Sequence, residues 1–251
     1  MIDIVLVGAA GRMGAAIAHA ATEASGCRVA AGVDPIAAAS GDTRWGQSLA
    51  AAYRKGMVVV DFSSPTGAVA SAQFCAANGA PFVCGTTGLD AAAEAAVRDA
   101  GKSVAVFRAS NFSIGVAALR QLLAAALAAV PRSWDVEIVE RHHRLKKDAP
   151  SGTALTLADD ALAARGLTRE ALRHGREGVV GARTAGEIGV HAVRGGTFVG
   201  DHQIVLAGNG ESLEIRHVAE DRAAFAHGAV AAARFVAGAP AGVYGMSDLL
   251  K

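Results

Sequence analysis

The densest concentration of reactive side chains is the run Glu140-Arg141-His142-His143-Arg144-Leu145-Lys146-Lys147-Asp148-Ala149-Pro150-Ser151-Gly152-Thr153. From Glu140 to Asp148 it holds four Arg or Lys and two acids, with two histidines between them. Such a set neutralises a small anion and offers proton donors that titrate near neutral pH. Ser151-Gly152-Thr153 stands at a helix start, where a hydroxyl and backbone N–H groups suit a carboxylate. The competing reading is a solvated basic loop, the usual fate of a charge run. No metal is expected: adjacent histidines cannot easily chelate one ion from a strand, and no carboxylate–histidine or cysteine set accompanies them.

A second chemistry-bearing stretch lies at the N-terminus. Gly8-Ala9-Ala10-Gly11-Arg12-Met13-Gly14 follows a β-branched run and opens a helical pattern. Glycine there lets the chain turn tightly and brings backbone N–H groups close to a pyrophosphate at a helix N-terminus. The spacing is Gly-x-x-Gly-x-x-Gly, a looser signal than Gly-x-Gly-x-x-Gly, and its context strengthens it. Asp34 lies 20 residues beyond Gly14 at the end of the next strand, the place for a carboxylate that accepts from a ribose hydroxyl. That carboxylate favours NADH over NADPH by repelling a 2′-phosphate, and Pro35 brings no compensating charge. Arg12 is placed to meet a phosphate, so NADPH stays open. Gly85-Thr86-Thr87-Gly88 and Ala109-Ser110-Asn111-Phe112 are expected at the carboxyl ends of strands, beside the nicotinamide and its ribose. Taken alone, each reads equally well as an ordinary turn.

These loops need elements to hold them. Residues 2–7, 28–33, 57–61, 81–84 and 103–107 read as short strands, separated by helical stretches at 12–24, 66–78 and 90–100. Strands alternating with helices of this length imply an open parallel sheet. Residues 35–56 have no clear pattern. Beyond Asn111 the expected order is a helix at 113–130, a strand at 135–140, a polar loop at 141–151 and a helix at 153–164. Strands at 188–194, 197–207 and 212–218 and a helix at 223–237 complete it. In 212–218, Leu213 and Ile215 alternate with Glu214 and Arg216, the pattern of a sheet with one face in the core. The expected fold class is α/β, a Rossmann-type parallel-sheet domain joined to a second α+β domain with a mixed or antiparallel sheet. Residues 1–112 and 222–251 are assigned to dinucleotide binding and 113–221 to the second domain, the last helix returning to the first.

Composition narrows the function classes. The 251 residues carry 24 Lys+Arg against 23 Asp+Glu, a net charge of +1 that argues against a nucleic-acid or membrane-surface binder. The most apolar stretch, residues 116–130, is interrupted by Arg120 and Gln121 and falls short of the roughly 18 apolar residues of a membrane span. Cys27, Cys75 and Cys84 form no Cys-x-x-Cys pair and are expected to be reduced and buried. Nothing at the N-terminus resembles a signal peptide, so a cytoplasmic protein is expected.

The glycine-rich loop, Gly85-Thr86-Thr87-Gly88, Asn111-Phe112-Ser113 and the run from Arg141 to Leu155 together resemble the 4-hydroxy-tetrahydrodipicolinate reductase family, formerly dihydrodipicolinate reductase. The likeness runs from Ile2 to the tail at Leu249, and His142-His143-Arg144-Leu145-Lys146 with Asp148-Ala149-Pro150-Ser151-Gly152-Thr153 is its most specific part. It implies reduction of a cyclic unsaturated dicarboxylate by NADH or NADPH, with loss of water, in lysine and diaminopimelate biosynthesis. His142 matches the family's proton donor/acceptor, Lys146 its second proton donor and His143 a substrate contact. Gly152 and Thr153 match the pair that holds a substrate carboxylate. Gly8, Ala9, Ala10, Gly11, Arg12, Met13, Asp34, Gly85, Thr86, Thr87, Ala109, Ser110, Asn111 and Phe112 fall on cofactor-binding positions. The family also implies a homotetramer assembled through the second domain's sheet. Three departures stand out: Pro35 where some members carry Arg, a short 35–56 connection, and Leu145 at a position often polar. Two other readings stay open, a different Rossmann dehydrogenase acting on an imino or amino acid, and an NAD(H)-sensing regulator. A sensor would have no need of His142 and Lys146 beside Ser151-Gly152-Thr153, and would usually carry a basic DNA-binding module.

Overall fold

The computed structural model describes residues 1–251. In chain order the elements are β1 (Ile2–Val7), α1 (Arg12–Ala20), β2 (Cys27–Val33), α2 (Pro35–Ala39), α3 (Leu49–Ala52), β3 (Val58–Asp61), α4 (Pro65–Asn78), β4 (Phe82–Cys84), α5 (Ala91–Asp99) and β5 (Ala105–Arg108). Then follow α6 (Ile114–Ala129), β6 (Asp135–His142), α7 (Gly152–Arg165), β7 (Leu172–Arg173), β8 (Ile188–Arg194), β9 (Gly200–Ala207), β10 (Ser212–Ala219), α8 (Ala223–Gly238) and β11 (Gly242–Tyr244). The chain divides into two compact units, one of Met1–Ile114 with Arg222–Lys251 and one of Gly115–Asp221.

The first unit is built on a six-stranded sheet in the order β11-β5-β4-β3-β1-β2, parallel throughout. Strand order reverses between β1 and β3, the switch point at which open α/β sheets leave a crevice beyond their carboxyl ends. Its strands are apolar on both faces because both are covered. Ile4 and Leu6 pack with the alanines of α8 (Ala226, Ala229, Ala233), whose small side chains let that helix lie close to the sheet. Val5 and Val7 turn the other way, towards Ala68, Ala72 and Cys75 of α4. Four helices start on a side chain that accepts the N–H three residues on: Asp34, Ser48, Ser64 and Asp90. Cys27, Cys75 and Cys84 are free and buried, as expected of cysteines that serve as small core residues.

The second unit holds a five-stranded sheet in the order β10-β9-β6-β8-β7. It is mixed: β6 runs antiparallel to β9 and parallel to β8. One face, lined by Val136, Ile138, Val190 and Ile204, packs on Leu123 of α6 and Leu157 of α7. No helix of the protein is long and apolar enough to cross a membrane.

Several local expectations need correction. The segment 35–56 is not structureless: Asp34 and Ser48 cap two short helices, and Val33 bridges to Gly46. The first helix stops at Ala20, and Glu23–Ser25 forms a separate 3-10 turn. Strands β7 and β11, two and three residues long, are too short to leave a periodic pattern. Leu213 is 40% exposed although its strand alternates as expected, because β10 is the outermost strand of its sheet. Most consequentially, β6 does not end at residue 140. It continues through Arg141 to His142, which pair with Val193 and Arg194 of β8, so His142 is a strand residue and not part of a loop.

Candidate functional site

In the first unit, the loop after β1 folds back on itself through Gly11 N–H to the Gly8 carbonyl (3.1 Å), while Gly8 N–H bonds to the Val33 carbonyl (2.9 Å). Gly8 has φ +80°, and a Cβ there would lie 2.6 Å from the Phe62 carbonyl oxygen, so only glycine fits. The turn delivers the chain into α1, whose N-cap Gly11 supplies no side-chain acceptor and whose first turn contains no acid. The N-terminal N–H groups of α1 are thus left to an outside acceptor, and the loop fits a pyrophosphate. Ala10, Gly11 and Arg12 are exposed there, Met13 is half-buried and Ala9 is buried.

Asp34 has a structural duty besides any ligand. One carboxylate oxygen accepts from Ala10 N–H of the glycine-rich loop (3.2 Å) and the other from Ala37 N–H at the start of α2 (3.1 Å). The acid therefore sits beside the loop, tying the carboxyl ends of β1 and β2 together. Thr86 and Phe112 are more structural than their motifs suggested. Thr86 is buried, its hydroxyl donating to Asp61 (2.8 Å) and accepting from Ser63 N–H (2.9 Å). Phe112 is buried against Phe62 and Phe107. Gly85 is buried, Thr87 and Ser110 are exposed, and Asn111 is half-buried, its side-chain oxygen accepting from Ser113 N–H (2.8 Å). Two positioning side chains escaped the sequence reading. Asp61 also takes the Ser63 and Ser71 hydroxyls (2.7 and 2.6 Å), stapling the loops after β3 and β4. Arg108 donates to the Ala109 carbonyl (2.8 Å) and pairs with Glu94 (2.9 Å), fixing the loop after β5. Neither has a local motif; each is recognisable only once the strand order is known.

In the second unit, β6 alternates in burial along its whole length, and its buried row runs Val136, Ile138, Glu140, His142. The period of two that sends Val136 and Ile138 into the core carries Glu140 and His142 onto the same face. Glu140 is fully buried and accepts both terminal nitrogens of Arg194 (2.7 Å each) and Ser151 N–H (3.0 Å), and it lies 2.5 Å from His142 Nδ1. Burial works to raise its carboxyl pKa, but Arg194, His142 and the Ser151 N–H together hold it below the usual carboxylate range. His142 is pushed below the ordinary imidazole value by burial, with Glu140 opposing and the Lys146 and Arg194 charges adding to the fall. Ser151 caps α7 through Ala154 N–H (3.2 Å), and its hydroxyl also lies 3.2 Å from His202 Nε2. His202 is buried and brought down to about 4, chiefly by burial and then by the nearby His142. Gly152 and Thr153 form the first turn of α7, which carries no acid. Lys146 closes a turn onto the His143 carbonyl (3.0 Å), and its ammonium pairs with Asp148 (2.9 Å). His143 is anchored by its N–H on the Phe198 carbonyl (2.8 Å).

The structure thus brings His142, His143, Lys146, Gly152 and Thr153 into one unit, on a strand end, a turn and a helix start. Glu140, Arg194 and His202 belong to the same cluster, although no role was expected for the last two. No group of three or more His, Cys, Asp or Glu side chains is arranged to hold a metal ion.

A parallel sheet with a glycine-rich loop at its switch point, and a second sheet carrying a buried carboxylate and imidazoles beside a helix N-terminus, make the architecture of a two-part nucleotide-dependent oxidoreductase. The chain belongs to the dihydrodipicolinate reductase family: the model of that family's N-terminal part matches residues 2–112 and that of its C-terminal part residues 115–250. It is 40% identical to the 4-hydroxy-tetrahydrodipicolinate reductase of Myxococcus xanthus, across 100% of this chain and 98% of the relative. With the enzyme of the same name from Caulobacter vibrioides it shares 42% identity, across 99% and 97%. Among solved structures, the dipicolinate-bound dihydrodipicolinate reductase of a Paenisporosarcina species superposes with a TM-score of 0.79 at 25% identity, covering 99% of each chain. The match over residues 2–112 is accordingly a match to the nucleotide-binding part of a reductase that uses a nicotinamide cofactor.

Proposed function

We propose that this chain reduces 4-hydroxy-tetrahydrodipicolinate to tetrahydrodipicolinate, with loss of water, in lysine and diaminopimelate biosynthesis, with NADH preferred and NADPH accepted. The observation that carries this reading is the continuity of the buried row of β6 into Glu140 and His142, with Lys146 and the start of α7 beside them. In this reading Met1–Ile114 with Arg222–Lys251 binds the nucleotide and Gly115–Asp221 binds the substrate.

The reduced nicotinamide, when bound, supplies the hydride. The protein's own groups do the rest. Reduction at the β-carbon of the conjugated C=C–C=N system places electron density on the ring nitrogen and on the ring carbon adjacent to the reduced one. The Lys146 ammonium, and His142 when protonated, stabilise that charge, and the acid among them delivers the proton. The N–H groups at the start of α7, with Thr153 and His143, orient the two carboxylates; helix-start N–H groups and cations are the donors that such anions need. Loss of water draws on the same acid–base pair, since the departing hydroxyl must gain a proton. Asp34, fixed by Ala10 and Ala37, sits where an adenosine ribose would offer its hydroxyls, and its charge disfavours a 2′-phosphate. The enzyme works in the cytoplasm as a homotetramer assembled through the mixed sheet.

The test is a coupled assay in which aspartate semialdehyde, pyruvate and the preceding synthase make the substrate while NADH and NADPH oxidation are followed separately. Substrate-dependent oxidation is expected with both, faster per unit concentration with NADH. Lys146→Ala should cut kcat about a hundredfold or more while NADH affinity stays within about threefold. Absence of oxidation with either nucleotide sinks the assignment, and a Lys146→Ala variant within a few-fold of wild type removes Lys146 from the chemistry.

A further inference from the structure

Beneath His142 lies a carboxylate with no surface of its own open to a ligand. Glu140 has no exposed surface, and each of its carboxylate oxygens is engaged: Oε1 by Arg194 and Ser151 N–H, Oε2 by Arg194 and by His142 Nδ1. A carboxylate clamped by both terminal nitrogens of an arginine is ionised and can only accept. The atom facing it at 2.5 Å, His142 Nδ1, must therefore be the donor. In a neutral ring that places the single proton on Nδ1 and leaves the lone pair on Nε2. The Nε2 edge faces Gly200, where an added Cβ would come within 3.3 Å of it, and Gly200 has no side chain to cover it.

We propose that Glu140, clamped by Arg194, is the positioning residue of His142: it fixes the ring's tautomer and makes Nε2 the atom that exchanges a proton with substrate. The proposal rests on the reductase reading above. Glu140 also counters its surroundings. The charged and titratable groups facing His142 are Glu140 on its own strand, Lys146 on the following turn, Arg194 on β8 and His202 on β9, whose ring centroid is 5.2 Å away. Of these, only Glu140 favours the protonated imidazole. A proton added at Nε2 makes an imidazolium held between the Glu140 carboxylate and the substrate; its release to substrate restores the neutral Nδ1–H ring, so charge and protons balance. Arg194 serves by keeping Glu140 ionised, and a further bond, to the Asp148 carbonyl (2.7 Å), ties the same clamp to the turn that carries Lys146.

Two measurements test this. In the resting wild-type protein, two-bond 1H–15N correlation NMR should show His142 protonated on Nδ1 and unprotonated on Nε2. In Glu140→Gln, which keeps the shape and loses the charge, kcat should fall about tenfold to a hundredfold with substrate KM within about threefold. The activity that depends on protonated His142 should also fade at lower pH than in wild type. A uniform fall in kcat with that limb unmoved would give Glu140 a structural role only and overturn the proposal, as would kcat within threefold of wild type. Resting His142 protonated on Nε2 overturns it without any variant, so a Glu140→Gln protein that failed to fold would still leave a decision. Should the wild type oxidise neither nucleotide, the reductase reading fails while the nitrogen shifts still decide the tautomer.

Discussion

His202 offers a sharp physical test of the second unit. The ring is buried beside Ser151 and His142, and its pKa drops from 6.5 to about 4. Burial is the main cause, since the imidazolium would have to leave water with only distant carboxylates to meet it. Above pH 6.5 the ring is neutral whether the protein is folded or not, and it contributes nothing to the pH dependence. Between 6.5 and about 4 the unfolded chain binds a proton that the folded chain refuses, so stability falls as pH falls. A separation of about 2.5 pH units at 1.36 kcal/mol each is about 3 kcal/mol, most of it lost by about pH 4.5. His142 and His217 are also held low and steepen the same limb, whereas Glu137, brought down to about 2 by Arg176, His191 and Arg183 against the opposing effect of burial, titrates well below it. The perturbation is His202→Gln, whose amide keeps a partner for the Ser151 hydroxyl and cannot titrate in this range. Urea unfolding is followed by Trp134 fluorescence in a Trp45→Phe background; the chain has two tryptophans, and Trp134 packs on the core of the second unit. Wild type should lose about 2–3 kcal/mol more than His202→Gln between pH 7 and pH 4.5. Equal losses would mean that His202 is protonated in the folded protein, and the buried, neutral role given to it would be wrong.

Two further expectations follow from the same geometry. Gly200 has no left-handed φ, so Gly200→Ala is tolerated by the backbone, but its methyl would press on His142 Nε2 from 3.3 Å. A displacement of that kind should lower kcat about tenfold or more without touching NADH affinity, measured by fluorescence titration, and unchanged kcat would show that Nε2 is not the working edge. Asp34→Asn leaves one good acceptor where two backbone N–H groups now bond, and it removes the charge that faces a 2′-phosphate. The ratio of kcat/KM for NADH to that for NADPH should fall about tenfold in the coupled assay; an unchanged ratio would place nucleotide choice elsewhere.

What the sequence disclosed, and what it hid, divides along the range of the interactions. The alternation of β-branched runs and alanine-rich helices specifies a parallel sheet locally, and Ile2–Val7 and Ile188–Arg194 are each delimited by their own residues. Helix starts were legible for the same reason: Asp90 and Ser151 are caps written into the sequence beside the N–H groups they bind. His142, Lys146 and Ser151-Gly152-Thr153 stood out because their types and spacing lie within one short run. The limits appear where a partner comes from far along the chain. The polar run after Glu140 looks like a loop, yet His142 remains in the sheet because Arg141 and His142 pair with Val193 and Arg194.

That extension of two residues changes the chemistry that can be read. With β6 ending at 140, Glu140 and His142 have no fixed relation; with β6 reaching 142, they are next neighbours on one face and the carboxylate must meet the imidazole. The remaining members of the cluster, Arg194 and His202, lie 54 and 62 positions from Glu140 and enter only through the pairing of β8 and β9 with β6. A buried acid is tolerable there only because Arg194 arrives, and Arg194 arrives only because β8 runs parallel to β6 in this register. The motif proposed for catalysis is therefore local in sequence, whereas the groups that set its protonation are not, and the mixed sheet joins the two.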